Sequence, residues 1–138
     1  MDFPEDLYYS REHMWLKIMG TRGRIGITDY AQQEMGEIVF LNLPEENSPI
    51  ELDEVFGTLE SSKTVADLHA PVSGEIVLVN RDLEEEPSLI NDDPYGKGWL
   101  VTVEIDDPNQ MEDLLSPLEY EDFLENKNAS QRGANKPG

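Results

Sequence analysis

The sequence predicts a mainly β domain, either a small sandwich or a barrel, that carries peripheral helices. Short apolar segments recur along the chain, and turn residues separate them about every 8–12 residues, which is typical of antiparallel β folds. Helical patterns are concentrated after residue 106. The 138 residues are enough for one domain with a single hydrophobic core.

The predicted strands are apolar segments bounded by glycine, proline or polar residues. A hairpin is expected to join residues 14–19 to residues 24–27 through a glycine-containing turn, and Pro44 stops a strand that begins near residue 37. The other strands are predicted over 55–61, 65–69, 75–79 and 99–105.

Capping residues mark three helices. Thr28 or Asp29 is a suitable N-cap for a short helix that Gly36 closes. Proline after Asp107 favours a helix that begins there and reaches about residue 115. The run Ser-Pro-Leu-Glu at 116–119 has the form of a capping box, and it opens a helix that is expected to end at about residue 125.

The two ends of the chain are expected to be less ordered than the body. Residues 1–7 are predicted to be a flexible lead. Residues 126–138 are polar and lack hydrophobic periodicity, so a disordered tail is predicted there. The folded unit is therefore expected to be one domain over residues 1–125.

Charge and composition narrow the possible functions. The formal net charge is -20, and all of the excess acid lies before residue 126. Such a surface repels phosphate backbones, which argues against nucleic-acid binding, and it favours basic protein surfaces as partners. A saline cytoplasm, in which proteins are generally acidic, is the alternative explanation of the charge. The absence of cysteine excludes disulfides, thiol nucleophiles and thiolate metal sites.

No apolar run in the sequence is long enough for a membrane span, and the start of the chain has no secretory pattern, so we expect a cytoplasmic monomer. No serine–histidine–carboxylate arrangement and no glycine-rich phosphate loop is visible, so no catalytic residues are predicted. His13 and His69 match no metal-binding spacing, so no metal site is expected.

Lys63 is the residue whose position suggests chemistry. Two alternating segments meet at Ser-Ser-Lys-Thr, so Lys63 is expected at the tip of a hairpin. It is the only lysine between Lys17 and Lys97. From the residues alone, two alternatives stay open: a solvated surface lysine, or an attachment site for a covalent group.

The chain resembles the glycine cleavage system H proteins in a series of short motifs that follow in the same order. They extend from about Tyr8 to Leu124 and include GITDYA at 26–31, GEIVF at 36–40, ESSK at 60–63, DLHAPVSG at 67–74 and DPYG at 93–96. The resemblance implies a lipoyl/biotinyl-type barrel–sandwich hybrid with peripheral and C-terminal helices. Biotin carriers have methionine beside the modified lysine, whereas this chain has Ser62 and Thr64, which favours lipoate.

The resemblance implies a non-catalytic carrier in which lipoate is joined to Lys63 by an amide. The resulting swinging arm would shuttle an aminomethyl group between glycine decarboxylase and aminomethyltransferase, and dihydrolipoamide dehydrogenase would reoxidise it. A lipoate ligase or lipoyl transferase would attach the group. Glu60 and Asp67 flank the tip, and they would hold the arm or guide the modifying enzyme.

The resemblance also implies a cleft that shelters the loaded arm. Its lining would include Glu12, His13 and Met14, together with Asp67. This chain departs from the family's His-Glu-Trp run, because Met14 stands where the glutamate is expected. A thioether cannot pair with an amine as a carboxylate does, but Glu12 would supply an acid from a neighbouring position.

Two alternatives follow from this departure and from the lysine itself. The first is a lipoate-binding protein of sulfur-compound oxidation, which would carry sulfur intermediates and work with a heterodisulfide-reductase-like complex. The second is an acidic interaction domain whose lysine is never modified.

Overall fold

The computed structural model describes the backbone of residues 1–134 and the side chains of residues 1–127. Nine strands in two antiparallel sheets form the framework of the described chain, and this arrangement confirms the predicted mainly β class. The strands are β1 (Tyr8–Tyr9), β2 (Met14–Met19), β3 (Arg22–Ile27), β4 (Ile38–Asn42), β5 (Pro49–Ile50), β6 (Val55–Ser61), β7 (Val65–His69), β8 (Gly74–Val79) and β9 (Val101–Ile105).

The larger sheet has the order β1-β2-β3-β9-β8-β5, and the smaller sheet has the order β4-β6-β7. Apolar residues of both sheets form one core cluster, which includes Leu16, Leu59 and Ile76, all fully buried. The hydrophobic effect of closing the two sheets over this cluster is the main stabilising contribution to the fold.

Helices cover the periphery of the two sheets. Their bounds are α1 (Asp29–Met35), α2 (Asp82–Glu85), α3 (Leu89–Asp92), a 3-10 helix (Pro108–Asp113) and α4 (Pro117–Ala134). No helix in the described part of the chain combines the length and the apolar character that a membrane span requires.

Two of the predicted caps are confirmed. The Thr28 side chain accepts a hydrogen bond from the backbone of Ala31 at 3.2 Å, and Gly36 ends α1 with a φ of 77°. The capping box is reciprocal: the backbone N–H of Ser116 donates to Glu119 Oε1 at 2.9 Å, and the backbone N–H of Glu119 donates to Ser116 Oγ at 3.2 Å. The Thr28 cap and the Ser116–Glu119 capping box both satisfy backbone N–H donors that a helix start leaves unpaired.

The segment predicted as a helix over 107–115 is a shorter 3-10 helix instead. It ends at Asp113 because Leu115 is drawn into an antiparallel bridge, exchanging backbone hydrogen bonds of 2.9 and 2.7 Å with Tyr9. A continuing α-helix would remove the backbone groups of Leu115 from that bridge.

The last helix does not end near residue 125 as predicted, but continues to Ala134. The boundary predicted between body and tail therefore falls inside α4, and only residues 135–138 of that tail lie outside the described chain. The extension has a simple cause, since residues 126–132 include no glycine or proline and an existing helix gains a hydrogen bond for each residue added.

The lead predicted as flexible packs against the body. Phe3 contacts the rings of Tyr9 and Tyr120 edge-on, at centroid distances of 6.3 and 5.5 Å, and Leu7 is buried. Residues 1–7 are acidic and contain too few apolar side chains to form a periodic pattern, so the sequence does not indicate this packing. The segment packs against a second core cluster, which consists of Leu7, Tyr9, Trp15, Leu115, Tyr120 and Leu124.

Candidate functional site

The hairpin of β6 and β7 places Lys63 at an exposed tip, as the sequence predicts. Ser61 fixes the turn from below: its buried Oγ accepts hydrogen bonds from the backbone N–H groups of Lys63 and Thr64, each at 3.2 Å. Its own N–H donates to the carbonyl of Thr64 at 2.8 Å. The backbone under the lysine is therefore held, while the side chain is left to solvent.

The Lys63 side chain lies along the end of α1. A Cβ atom added at Gly36 would be 3.1 Å from Lys63 Cε and 3.3 Å from Nζ, so the glycine leaves room for the lysine as well as adopting its positive φ. Among the residues that the structure describes, no carboxylate forms an ion pair with Lys63. The amine is thus accessible and uncommitted.

A cleft of about 560 Å³ opens between α1, the start of β2 and strand β7. Strand β7 is an edge strand of the smaller sheet, so one wall of the cleft is the free edge of that sheet. The floor is apolar and is formed by Met14, Ile27, Met35, Leu59, Ala66 and Leu68.

The rim of the cleft carries charge of both signs. Three carboxylates line it, those of Glu12, Glu34 and Asp67, together with one ammonium, that of Lys127. The Nζ atom of Lys127 lies 5.9 Å from the centroid of the Tyr30 ring, close enough for a cation–π contact. The acids outnumber the base, so the cleft favours a cationic or hydrogen-bond-donating group at its mouth.

His13 joins the cleft to α4. Its Nδ1 atom is 2.8 Å from the hydroxyl of Tyr120, which is also 2.8 Å from Thr28 Oγ1. Burial, with the positive charge of Lys127 as a second cause, lowers the pKa of His13 from its usual 6.5 to about 4. The ring is therefore neutral near pH 7 and acts as a hydrogen-bonding group.

The structure brings four of the predicted site residues together and leaves two elsewhere. Glu12, His13, Met14 and Asp67 all line the cleft. Strand β2 begins only at Met14, and His13 has a φ of 68°, so a turn rather than strand alternation brings Glu12 to the same cavity.

Lys63 and Glu60 are the two predicted residues that do not line the cleft. Glu60 is exposed on β6 and pairs with Phe40 and Val65 across the smaller sheet. It therefore occupies the outer face of the hairpin.

Sequence reasoning missed the contribution of two helices. Tyr30, Ala31 and Glu34 reach the cleft from α1, and Lys127 reaches it from α4. The capping residues of α1 indicate a helix but not its orientation. Lys127 was assigned to a disordered tail, so no signal in the sequence placed it here.

His69 also lines the cleft, and its Nδ1 lies 3.1 Å from the backbone carbonyl of Asp53. Within the described residues, no group of three histidine or carboxylate side chains has the arrangement needed to hold a metal ion.

Comparisons with known proteins agree with this geometry. The family model described as "Glycine cleavage H-protein" matches residues 7–127. The glycine cleavage system H protein of Carboxydothermus hydrogenoformans is 52% identical over 122 residues, which cover 88% of this chain and 94% of the relative. The H protein of Bacillus subtilis is 46% identical over 125 residues, which cover 91% of this chain and 98% of that protein.

A solved structure is also similar. The crystal structure of a glycine cleavage system H protein from Mycobacterium marinum has a TM-score of 0.75 and 37% sequence identity, and the match covers 94% of this chain and 98% of that one. These matches favour glycine cleavage over the sulfur-oxidation alternative. The chain belongs to the glycine cleavage H-protein family, whose members typically carry lipoate, and it is a non-catalytic lipoyl carrier of the glycine cleavage system.

Proposed function

We propose that the lipoyl group is attached through an amide to the Nζ atom of Lys63 and that this arm uses the cleft beside α1. One observation carries the proposal: Lys63 is an exposed, uncommitted amine on a turn that Ser61 holds rigid. A fixed base with a free side chain is what a swinging arm requires. The lysine also lies against the same helix that walls the cleft.

The residues of the cleft fit such a group. A lipoyl chain is mostly apolar, and the floor of the cleft is apolar over six side chains. The volume of about 560 Å³ lies within the range of sites that bury small organic groups. The carboxylates of the rim suit a cargo that ends in an amine.

When attached, the group supplies a dithiol–disulfide pair that accepts an aminomethyl unit. The protein's own residues contribute binding and shelter. The apolar floor excludes water from the arm, and the carboxylates of Asp67 and Glu12 accept hydrogen bonds from the amine. Met14 is fully buried in the floor and offers a thioether, so in this chain the rim acids take the place of a carboxylate at that position.

Tethering explains how a protein without catalytic residues serves several enzymes. We propose glycine decarboxylase, aminomethyltransferase and dihydrolipoamide dehydrogenase as successive partners, because attachment to Lys63 raises the local concentration of the reactive group at each of them. The net charge of -20 steers the carrier toward basic surfaces. The cytoplasmic location and the monomeric state stay predictions.

Glycine–bicarbonate exchange tests this function. We expect the lipoylated protein to support exchange with glycine decarboxylase and its aldehyde cofactor, and we expect Lys63→Arg to abolish it. Lys97→Arg is the matched control, because Lys97 is also exposed and lies outside the cleft. Loss of exchange in both variants, or in neither, would contradict attachment at Lys63.

A further inference from the structure

One ammonium group, that of Lys127 on α4, stands at the mouth of the cleft. Its Nζ atom lies 5.9 Å from the centroid of the Tyr30 ring, and Lys127 lines the cleft with the carboxylates of Glu12, Glu34 and Asp67. Among the side chains of residues 1–127, none forms an ion pair with Lys127. The ammonium therefore faces the acids of the rim without being bound to any one of them.

The position of this ammonium is set by contacts between α4, α1 and the turn before β2. On α4, Phe123 lies one turn before Lys127, and its ring centroid is 6.2 Å from that of His13. On α1, Tyr30 and Glu34 lie one turn apart, and burial together with the Glu34 carboxylate raises the pKa of the Tyr30 hydroxyl. Lys127 thus reaches from α4 to a ring that has an acid at its other end.

The positive charge of Lys127 acts on groups inside the cleft. It is the second cause, after burial, of the lowered pKa of His13, which also lines the cleft. A cation–π contact at a partly exposed site is weak, and no paired acid neutralises the ammonium. Its field therefore extends to any charged group that enters the cleft.

The cargo of the arm needs the same acids. Its amine binds where carboxylates accept hydrogen bonds, and when it takes up a proton it carries the same charge as Lys127. Two cationic groups at one mouth repel each other and compete for the acids of the rim. A carrier has to release its cargo as well as shelter it, so a limit on how tightly the cleft holds the arm is useful.

Resting on the proposed attachment at Lys63 and on the use of the cleft by the arm, we propose that Lys127 is a built-in competitor of the cargo amine. In the empty cleft its ammonium faces the acids of the rim from above Tyr30. When the loaded arm enters, the amine shares Glu12 and Asp67 with Lys127. Lys127 therefore weakens retention of the loaded arm and favours its transfer to the next enzyme.

The first test is the lifetime of the loaded carrier without any enzyme. Wild type and Lys127→Gln are lipoylated, loaded by glycine decarboxylase with glycine, and separated from both, and intact mass then follows the aminomethyl increment with time. Water releases the cargo as formaldehyde and ammonia, while the C–S bond breaks and the thiol regains its proton. A retained arm meets less water, so we expect Lys127→Gln to lose its cargo about threefold more slowly, which is the scale of one exposed charge pair.

Two matched variants and a change of salt separate charge from packing. Lys127→Arg keeps the positive charge, so it should lose the cargo at the rate of the wild type. Lys97→Gln removes an exposed charge outside the cleft, and it should also behave as the wild type. The screening length is about 3 Å at about 1 M salt, so the difference between wild type and Lys127→Gln should shrink there.

Transfer to the next enzyme gives a second readout. Aminomethyltransferase acts on an arm that has left the cleft, so its kcat/KM for the loaded carrier should fall about threefold with Lys127→Gln. The rate of loss without enzyme shows that this change arises in the carrier, since no transferase is then present to contact Lys127.

A third measurement uses the chain without a lipoyl group. An NMR titration of the histidine rings gives the pKa of His13, which is about 4 in the wild type. Lys127→Gln removes a nearby positive charge and should raise that pKa, whereas Lys127→Arg should leave it unchanged. An equal pKa of His13 in wild type and Lys127→Gln would show that the ammonium does not act on the cleft, and it would overturn the inference.

Four outcomes of the lifetime measurement would also overturn it while leaving attachment at Lys63 intact. They are equal rates of loss in wild type and Lys127→Gln, faster loss in Lys127→Gln, slower loss in Lys127→Arg, and an equal change in Lys97→Gln. Faster loss would mean that Lys127 covers the arm instead of competing with its cargo. A wild-type chain that cannot be lipoylated or loaded would instead contradict the proposed function itself.

Discussion

At the scale of single residues, the backbone conformation and the protonation state of His13 shape the cleft. His13 has a left-handed φ of 68°, which is uncommon for a residue with a side chain, and its imidazole is kept neutral by burial. The strained turn is what brings Glu12 to the rim beside Asp67. A neutral His13 also shares one hydrogen bond with the Tyr120 hydroxyl without adding positive charge to the cleft.

The lowered pKa of His13 predicts a pH dependence of stability. Protons bind the unfolded histidine with a pKa near 6.5 and the folded one at about 4, so its contribution is complete above pH 6.5 and is lost as the pH falls toward 4. We expect the free energy of unfolding of the wild type to fall by about 1 kcal/mol more than that of His13→Asn between pH 7.5 and 5, after allowance for solvent screening of a ring that is not fully buried.

Urea unfolding at the two pH values measures this difference. Asparagine suits the comparison because it tolerates the left-handed conformation and retains a hydrogen-bonding side chain. Comparing the two proteins also cancels the titration of the many carboxylates that they share. Equal losses in both would show that His13 is not the titrating group.

At the scale of elements, one hydroxyl joins three parts of the chain. The Tyr120 hydroxyl on α4 lies 2.8 Å from His13 Nδ1 in the turn before β2, and 2.8 Å from the Thr28 side chain that caps α1. The ring of Tyr120 is fully buried and stacks on Tyr9 at a centroid distance of 4.9 Å. Helix α4 therefore braces two of the three sides of the cleft, those formed by α1 and by the turn before β2.

Tyr120→Phe is predicted to destabilise the fold while leaving the aromatic packing in place. The change removes the hydroxyl and leaves a buried imidazole nitrogen without its partner, so the free energy of unfolding should fall by about 1–3 kcal/mol. Tyr8→Phe is the control. The Tyr8 side chain is 41% exposed, so removing its hydroxyl should leave the free energy of unfolding nearly unchanged. Equal denaturation midpoints for wild type and Tyr120→Phe would contradict the bracing role of α4.

The elements also show which parts of the fold sequence reasoning could reach. Strands, caps and the lysine hairpin were predictable because alternation, capping chemistry and turn residues are local signals. The close approach of β6 to β4 at Gly57 was not predictable in this way, since it depends on the neighbouring strand: a Cβ there would lie 2.6 Å from the carbonyl oxygen of Asn42. The bridge from Tyr9 to Leu115 joins residues far apart in sequence, so no local pattern could indicate it.

At the scale of the whole molecule, the family resemblance supplied what local patterns could not. Lys63 alone was compatible with an ordinary solvated lysine, and the ordered motifs turned it into the expected attachment site. The resemblance could not supply Lys127 at the cleft rim, because its place depends on how far α4 extends and where it packs. Strand register is likewise a long-range property, and it alone shows that Phe40 and Val65 lie on one face of the smaller sheet.

The most direct test of the central claim is the intact mass of the protein after incubation with lipoate, ATP and a lipoate ligase. Attachment at Lys63 predicts one lipoyl increment on the wild type and on Lys97→Arg, and none on Lys63→Arg. A wild-type chain that gains no increment, or a Lys63→Arg chain that still gains one, would contradict the account.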